Sequence, residues 1–274
     1  MANQVQAEET FARAARRVSE GFQYIRHRVD GPVARVTLCR PEHNLLNESV
    51  LRELADAIGA VAETRAVKLI VLDAEGKVFS AGVDVGEYTA ERAFSMLDAF
   101  HAACIAMVEA PQPVLVIVNG AAIGGGAELV AYGDLVVATP RARFALPEIT
   151  IGVFPPLAST MFPQIVGSKR ALELILTGEA ISAERARDLG LVNRLVPEAQ
   201  LQAAVNDLIV KITAQSGAVL GMAKKAVLRG MGLSLRDSLQ QSMNIFLNEL
   251  YRLEDSQEGL RALLEKRKPE WKNR

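Results

Sequence analysis

The chain has 274 residues, 50% of them hydrophobic, and a formal net charge of −1. That length can bury a large core as one domain, or as a domain with an appendage. The charge balance gives no general reason to expect nucleic acid or an anionic membrane surface as partner, and no apolar run approaches the roughly 20 residues that span a bilayer.

Residues 1–20 carry Arg13, Arg16 and Arg17, with Phe11 and Val18 at helical spacing. Glu8, Glu9 and Glu20 argue against an organelle transit peptide, and no signal-peptide apolar core follows. A short helix or ragged extension is expected there. Tyr24–Val29 and Val33–Cys39 read as strands joined by Asp30-Gly31-Pro32, an opening hairpin. Asn47 then caps a helix whose apolar face is Val50, Leu54, Ala57, Ile58 and Val61. Val67–Leu72 is a continuous apolar run, as in a strand covered on both faces. The next helix starts near Ala90, with Leu97, Phe100, Cys104 and Met107 on one side. Cys39 and Cys104 have neither metal nor redox spacing and read as buried reduced thiols.

Val114–Val118 is a further buried strand, bounded by Pro113 and Asn119-Gly120. It runs into Gly124-Gly125-Gly126, which opens a helix carrying Glu128. Consecutive glycines each cost about 1 kcal/mol relative to Ala inside a helix. They suit either tight packing or a ligand close to bare backbone, where free N–H groups and the helix dipole stabilise negative charge. A dinucleotide fingerprint is excluded, because the spacing is not G-x-G-x-x-G. Strands alternating with helices imply right-handed crossovers and a largely parallel sheet, whose ligands lie beyond the carboxyl ends of the strands. Both the glycine run and the upstream turn Phe79-Ser80-Ala81-Gly82-Val83-Asp84-Val85 fall at that edge. That turn and Gly125 could then supply two N–H groups to one oxyanion. Asp84 reads as a cap or brace for its turn.

Glu128 returns to the face of the Gly125 amide, and Glu148 follows Pro147 in a turn. Two carboxyls near an oxyanion site suffice for acid/base chemistry; the alternative is that both are solvated or paired with arginines. His27, His43 and His101 fit no nucleophilic triad or metal spacing and are expected away from the glycine turns. From Leu157 onward the chain reads almost wholly helical. Its last long helix, Ser234–Leu253, has a stripe of Leu239, Met243, Phe246, Leu250 and Leu253 that suits core or a subunit interface. The tail EKRKPEWKNR reads as a solvated basic end.

The segments FSAGVDVGE, VNGAAIGGGAEL and FALPEITIG, with RPEHNLLNESVLREL before and DSQEGLRALLEKRKPEW after, resemble the enoyl-CoA hydratase (crotonase) family in order and spacing. The likeness runs from Tyr24 to Trp271. It implies an α/β fold, a crotonase (ClpP-like) spiral of ββα units over 21–200 and a helical trimerisation region over 201–274. It also implies a trimer or dimer of trimers. The substrate implied is an acyl-CoA thioester, its carbonyl oxygen held by the Val83 and Gly125 amides, with Glu128 and Glu148 holding the water. Ala81, Asp84, Val85 and Gly124 would line the CoA and substrate turn, and the terminal EKRKPEW would approach CoA from a neighbouring subunit. No metal or redox cofactor is expected, and the location expected is cytoplasmic. After PEITIG the chain departs from common hydratases: GVFPPLAS looks like the subgroup acting on cyclic dienoyl-CoA thioesters, with Phe154 and Pro155 on the acyl wall. An isomerase or thioester hydrolase of the same fold, or a non-catalytic RNA-binding or assembly relative, are the alternatives.

Overall fold

The structure is a computed structural model that describes residues 21–274; the expected N-terminal helix or extension lies outside the described residues. Gly31-Pro32 turns strand β1 (Ile25–Asp30) back onto β2 (Val33–Leu38), antiparallel from Ile25 beside Leu38 to Asp30 beside Val33. Asn47 caps helix α1 (Glu48–Ala62), its side chain accepting from the Val50 N–H at 3.0 Å. The expected apolar face is buried, with Leu51 added. Strand β3 (Leu69–Ala74) lies two residues later than expected and pairs parallel to β2. β4 (Val114–Val118) and β6 (Leu135–Ala138) continue the sheet in parallel. Every residue of β4 is buried, as an apolar strand covered on both faces must be.

Strands β2, β3, β4 and β6 are each followed by a short extended piece in a second layer, and the first three of these lead on to a helix. The pieces are β5 (Ala121–Ile123) and β7 (Arg143–Ala145), paired parallel, and single parallel bridges of Leu46 with Val83 and of Ser80 with Ala122. The helices are α1, α2 (Ala93–Glu109) and α3 (Gly125–Ala131). The chain thus winds as strand–strand–helix turns, and the second layer lies just beyond the carboxyl edge of the first.

Three expectations on elements need correction. On α2 the buried face is Met96, Phe100, Ala103, Cys104 and Met107, while Leu97 is exposed. The helix is apolar around most of its circumference, so periodicity does not single out one face. Cys104 is buried but Cys39 is only half-buried. After α4 (Pro156–Val166) and α5 (Ser168–Thr177), the stretch read as almost wholly helical contains two-residue strands. β8 (Ile181–Ser182) joins β7, and β9 (Arg194–Leu195) joins β6, on either side of α6 (Ala183–Asp188).

Helices α7 (Leu201–Thr213), α8 (Gly217–Gly230), α9 (Leu235–Asn248) and α10 (Glu254–Leu264) form the C-terminal region. The expected helix to Leu253 stops at Asn248, because a 3-10 turn, Leu250–Arg252, and extended Leu253 break it. The tail is not a free solvated end. Asp255, buried, accepts from the Ser216 hydroxyl at 2.5 Å and from the Lys272 and Asn273 N–H groups at 2.7 and 2.8 Å, and the Trp271 indole donates to the Ala214 carbonyl.

A buried ion pair ties α8 to the sheet: Lys224 Nζ lies 2.8 Å from Asp134 Oδ2 and donates to the Met107 and Gln112 carbonyls. Burial pushes the Asp134 carboxyl up and the Lys224 amine down despite their attraction, as expected when desolvation outweighs pairing. Lys224→Met should strand the Asp134 carboxylate and lower the unfolding free energy in a urea titration by about 3–5 kcal/mol. Adding Asp134→Asn should recover more than half of that. Equal losses in the two variants would mean that packing of the lysine stem sets the effect.

Candidate active site

The upstream turn is held by the main chain of the preceding spiral turn. The Ala81 N–H donates to the His43 carbonyl at 2.9 Å, Leu46 N–H to Gly82 at 2.9 Å and Asp84 N–H to Leu46 at 2.8 Å. His43 is therefore beside the turn, not away from it as its sequence context suggests. The Ser80 hydroxyl donates to the Asn44 carbonyl and accepts from the Gly82 N–H. Gly82 has φ +100°, and a β-carbon there would fall 2.9 Å from the Ile123 carbonyl oxygen and 3.7 Å from the Gly125 nitrogen. Only glycine accepts that φ without strain. The upstream turn and the start of α3 are thus in main-chain contact, and among the described residues neither the Val83 nor the Gly125 N–H has a backbone acceptor.

Each glycine of the run answers a different neighbour. A β-carbon on Gly126 would meet the Ser80 carbonyl at 2.6 Å, and one on Gly125 would meet Val83 Cγ2 at 2.9 Å and Phe100 at 3.0 Å. One on Gly124, at φ +52°, would meet Glu148 Oε1 at 2.5 Å. Tight packing accounts for the second and third glycines. The first lies against a carboxylate.

Glu128, in the first turn of α3, and Glu148, in a 3-10 turn over Pro147–Ile151, are only 2% and 5% exposed. Both are buried, and among the described residues neither pairs with an arginine. Glu128 Oε1 accepts from the Ala158 N–H at 2.8 Å, and among the described residues Glu148 Oε2 has no hydrogen-bond partner. Burial first, and then the charge of Glu148, push the Glu128 carboxyl up to about 7 against the opposing pull of the Ala158 and Leu157 amides. Burial likewise raises Glu148. Two carboxyls of raised proton affinity in one place can divide the roles of base and acid.

Pro155-Pro156 does not press Phe154 onto this site. Phe154 is 61% exposed, whereas Pro155 and Leu157 are buried. The prolines instead start α4, with Pro155 as cap and Pro156 in the first turn, where a missing N–H loses nothing. The first amides with hydrogens to give are those of Leu157 and Ala158, the ones that stabilise Glu128. Asp84 braces its turn, accepting from the Gly86 N–H at 3.3 Å and pairing with Arg40 at 3.1 Å. Ala81 and Val85 are exposed beside it. Among the described residues no cluster of His, Cys, Asp and Glu is arranged to hold a metal ion, and no helix is long and apolar enough to cross a membrane.

Three neighbours of the glutamates went unread in the sequence. The Tyr88 hydroxyl is raised to about 12 by burial and by the charges of Glu148 and Glu128. Cys104 feels the charge of Glu128. Tyr132 donates to the Leu157 carbonyl at 3.2 Å. Only Tyr132 had a legible signal, its position one helical turn beyond Glu128.

The sequence pattern described as enoyl-CoA hydratase/isomerase matches residues 28–274. The chain is 34% identical over 247 residues to the cyclohexa-1,5-dienecarbonyl-CoA hydratase of Thauera aromatica, covering 89% of this chain and 95% of that one. It is 36% identical over 250 residues to a probable enoyl-CoA hydratase of Rhizobium meliloti, with 89% and 96% covered. A crystal structure of an enoyl-CoA hydratase from Mycobacterium smegmatis superposes with a TM-score of 0.86 at 34% identity, covering 91% of this chain and 99% of that one.

The raised Glu128 carboxyl has a consequence for stability that needs no substrate. Its folded value, about 7, lies above the ordinary 4.5, so the protonated group's stabilisation is complete below about pH 4.5 and lost as pH rises through about 7. Glu128→Gln cannot ionise and should therefore be more stable than wild type near pH 8, by up to about 3 kcal/mol. The gap should shrink toward pH 5. Thermal unfolding across that range tests the sign, and a variant less stable at pH 8 but equal at pH 5 would reverse it.

Proposed function

The chain belongs to the enoyl-CoA hydratase/isomerase family, and we propose that it adds water across the α,β double bond of an enoyl- or dienoyl-CoA thioester. The observation that carries this reading is the pairing of two buried, cation-free carboxyls with two unengaged N–H groups on adjoining turns. In this reading the thioester oxygen lies on the Val83 and Gly125 amides, which stabilise the negative charge that develops there. One glutamate takes a proton from water as its oxygen bonds to the β-carbon. The other returns a proton to the α-carbon as the enolate collapses. CoA enters as part of the substrate along Ala81, Asp84, Val85 and Gly124, and no further cofactor is required.

The same proposal places the protein in the cytoplasm as a trimer or dimer of trimers, with a spiral core over 21–200 and an oligomerisation region over 201–274. Leu239, Met243 and Phe246 on α9 are exposed in the single chain, which suits a subunit interface. There the EKRKPEW segment would approach CoA bound to a neighbour. A cyclic dienoyl thioester is the favoured substrate, supported by the Thauera relative and by a rigid, proline-started wall at Pro155 to Leu157.

Glu128→Gln and Glu148→Gln should each lower hydration by roughly 10²-fold or more, the usual scale for losing a general acid or base, with thioester binding largely kept. Either variant turning over near the wild-type rate rules out the two-carboxyl mechanism. Double-bond migration without hydration would favour an isomerase.

Substrate shape is tested separately by comparing cyclohexa-1,5-dienecarbonyl-CoA with crotonyl-CoA. The cyclic thioester should have the higher kcat/KM, by roughly 10- to 200-fold, the range for one shape difference in an apolar pocket. A wild type that prefers linear enoyl-CoA sinks the substrate assignment and leaves hydration standing.

A further inference from the structure

Glu128 and Tyr132, one helical turn apart, reach the same peptide group. The Ala158 N–H donates to Glu128 Oε1 at 2.8 Å, and the Tyr132 hydroxyl donates to the Leu157 carbonyl at 3.2 Å. That carbonyl and that N–H are the two ends of the Leu157–Ala158 peptide, which is planar and conjugated. Tyr132 is itself firmly placed. It caps α3 with its N–H on the Leu129 carbonyl at 3.2 Å, and the next residue, Gly133, packs so closely that a β-carbon there would meet Val116 at 2.4 Å.

We propose that Tyr132 is a positioning residue for Glu128: its hydroxyl fixes and polarises the Leu157–Ala158 peptide, which in turn holds the Glu128 carboxylate in one orientation. A carbonyl that accepts a hydrogen bond draws electron density through the conjugated peptide, so its N–H becomes a stronger donor. Such chain polarisation is worth about 10–30% per bond. The effect matters here because, among the described residues, the other groups facing Glu128 bring no positive charge. They are Glu148 from its 3-10 turn, Tyr88 from the turn before α2, and Cys104 from α2. The Ala158 and Leu157 amides offset the burial of the ionised carboxylate, and Tyr132 acts on the Ala158 N–H through the carbonyl of the same peptide.

The inference deepens the hydratase reading and rests on it only for kinetics. Tyr132→Phe removes the hydroxyl and keeps the ring. In protein labelled with ¹³C at the glutamate carboxyls, the Glu128 resonance is assigned by its absence in Glu128→Gln and titrated without substrate. In Tyr132→Phe its midpoint should move up by about 0.3 pH unit, while the Glu148 midpoint stays where it is. The corresponding limb of the pH–rate profile should move with it, kcat falling about 3- to 10-fold and KM changing less than about twofold. An unchanged or lowered Glu128 midpoint, or equal upward moves of both carboxyls, overturns the assignment. Absence of thioester turnover in wild type overturns the hydratase reading alone, because the titration is read without it.

Discussion

The main-chain contact between the Gly82 turn and the start of α3 is the constraint on which the rest of the site depends. Two successive turns of the spiral touch there so closely that even a methyl group is excluded: a β-carbon on Gly82 would fall 2.9 Å from the Ile123 carbonyl oxygen, and one on Gly126 would fall 2.6 Å from that of Ser80. Parallel pairing of β3 with β4 brings the two turns to the same edge, and the second-layer bridge of Ser80 with Ala122 sets their register. With the backbones locked, the first amide of α3 lies close to the Gly82 turn, 3.7 Å from where a β-carbon on Gly82 would fall. The first turn of α3 then carries Glu128 into the interior on the same face.

Burying Glu128 and Glu148 without a cation works against the stability of the fold, and the raised proton affinity of both carboxyls measures that opposition. The protein offsets it with peptide amides at the start of an 11-residue helix, where N–H groups lack intrahelical partners and the dipole favours negative charge. This compensation is partial, so burial still holds the Glu128 carboxyl above its ordinary value. Elsewhere the same problem is met differently. Asp134 is given Lys224 outright, and Asp255 is given a hydroxyl and two amides. Those carboxylates lie away from the glycine turns.

Much of this was legible in the sequence wherever a side chain's own chemistry dictated the outcome. The apolar runs at β3 and β4, the cap at Asn47 and the glycines before α3 all announce themselves by residue type. What escaped reading depended on partners distant along the chain. Strands β8 and β9 are two residues long and exist only because β7 and β6 offer them an edge. Met96 displaces Leu97 from the core because α1 packs on that side of an almost uniformly apolar helix. The donor to Glu128 is the main chain of Ala158, thirty residues on, and no side chain encodes it. The tail reads as solvated because its composition is basic, whereas its contacts run through Trp271 and Asn273 to residues more than fifty positions earlier.

Seen from the gene, the glycine run is a stretch of coding sequence with almost no neutral neighbours. Every glycine codon that changes its first or second base yields a residue with a β-carbon or a stop. At Gly126 that atom meets main-chain oxygen, which cannot swing aside; at Gly125 it meets Val83 and Phe100; at Gly124 it displaces the Glu148 carboxyl from a backbone already at positive φ. Drift through these codons is therefore confined to silent third-position changes. Variation near the glutamates has to arise in segments outside the run, such as the helix start at Pro155 to Ala158, rather than in the run itself.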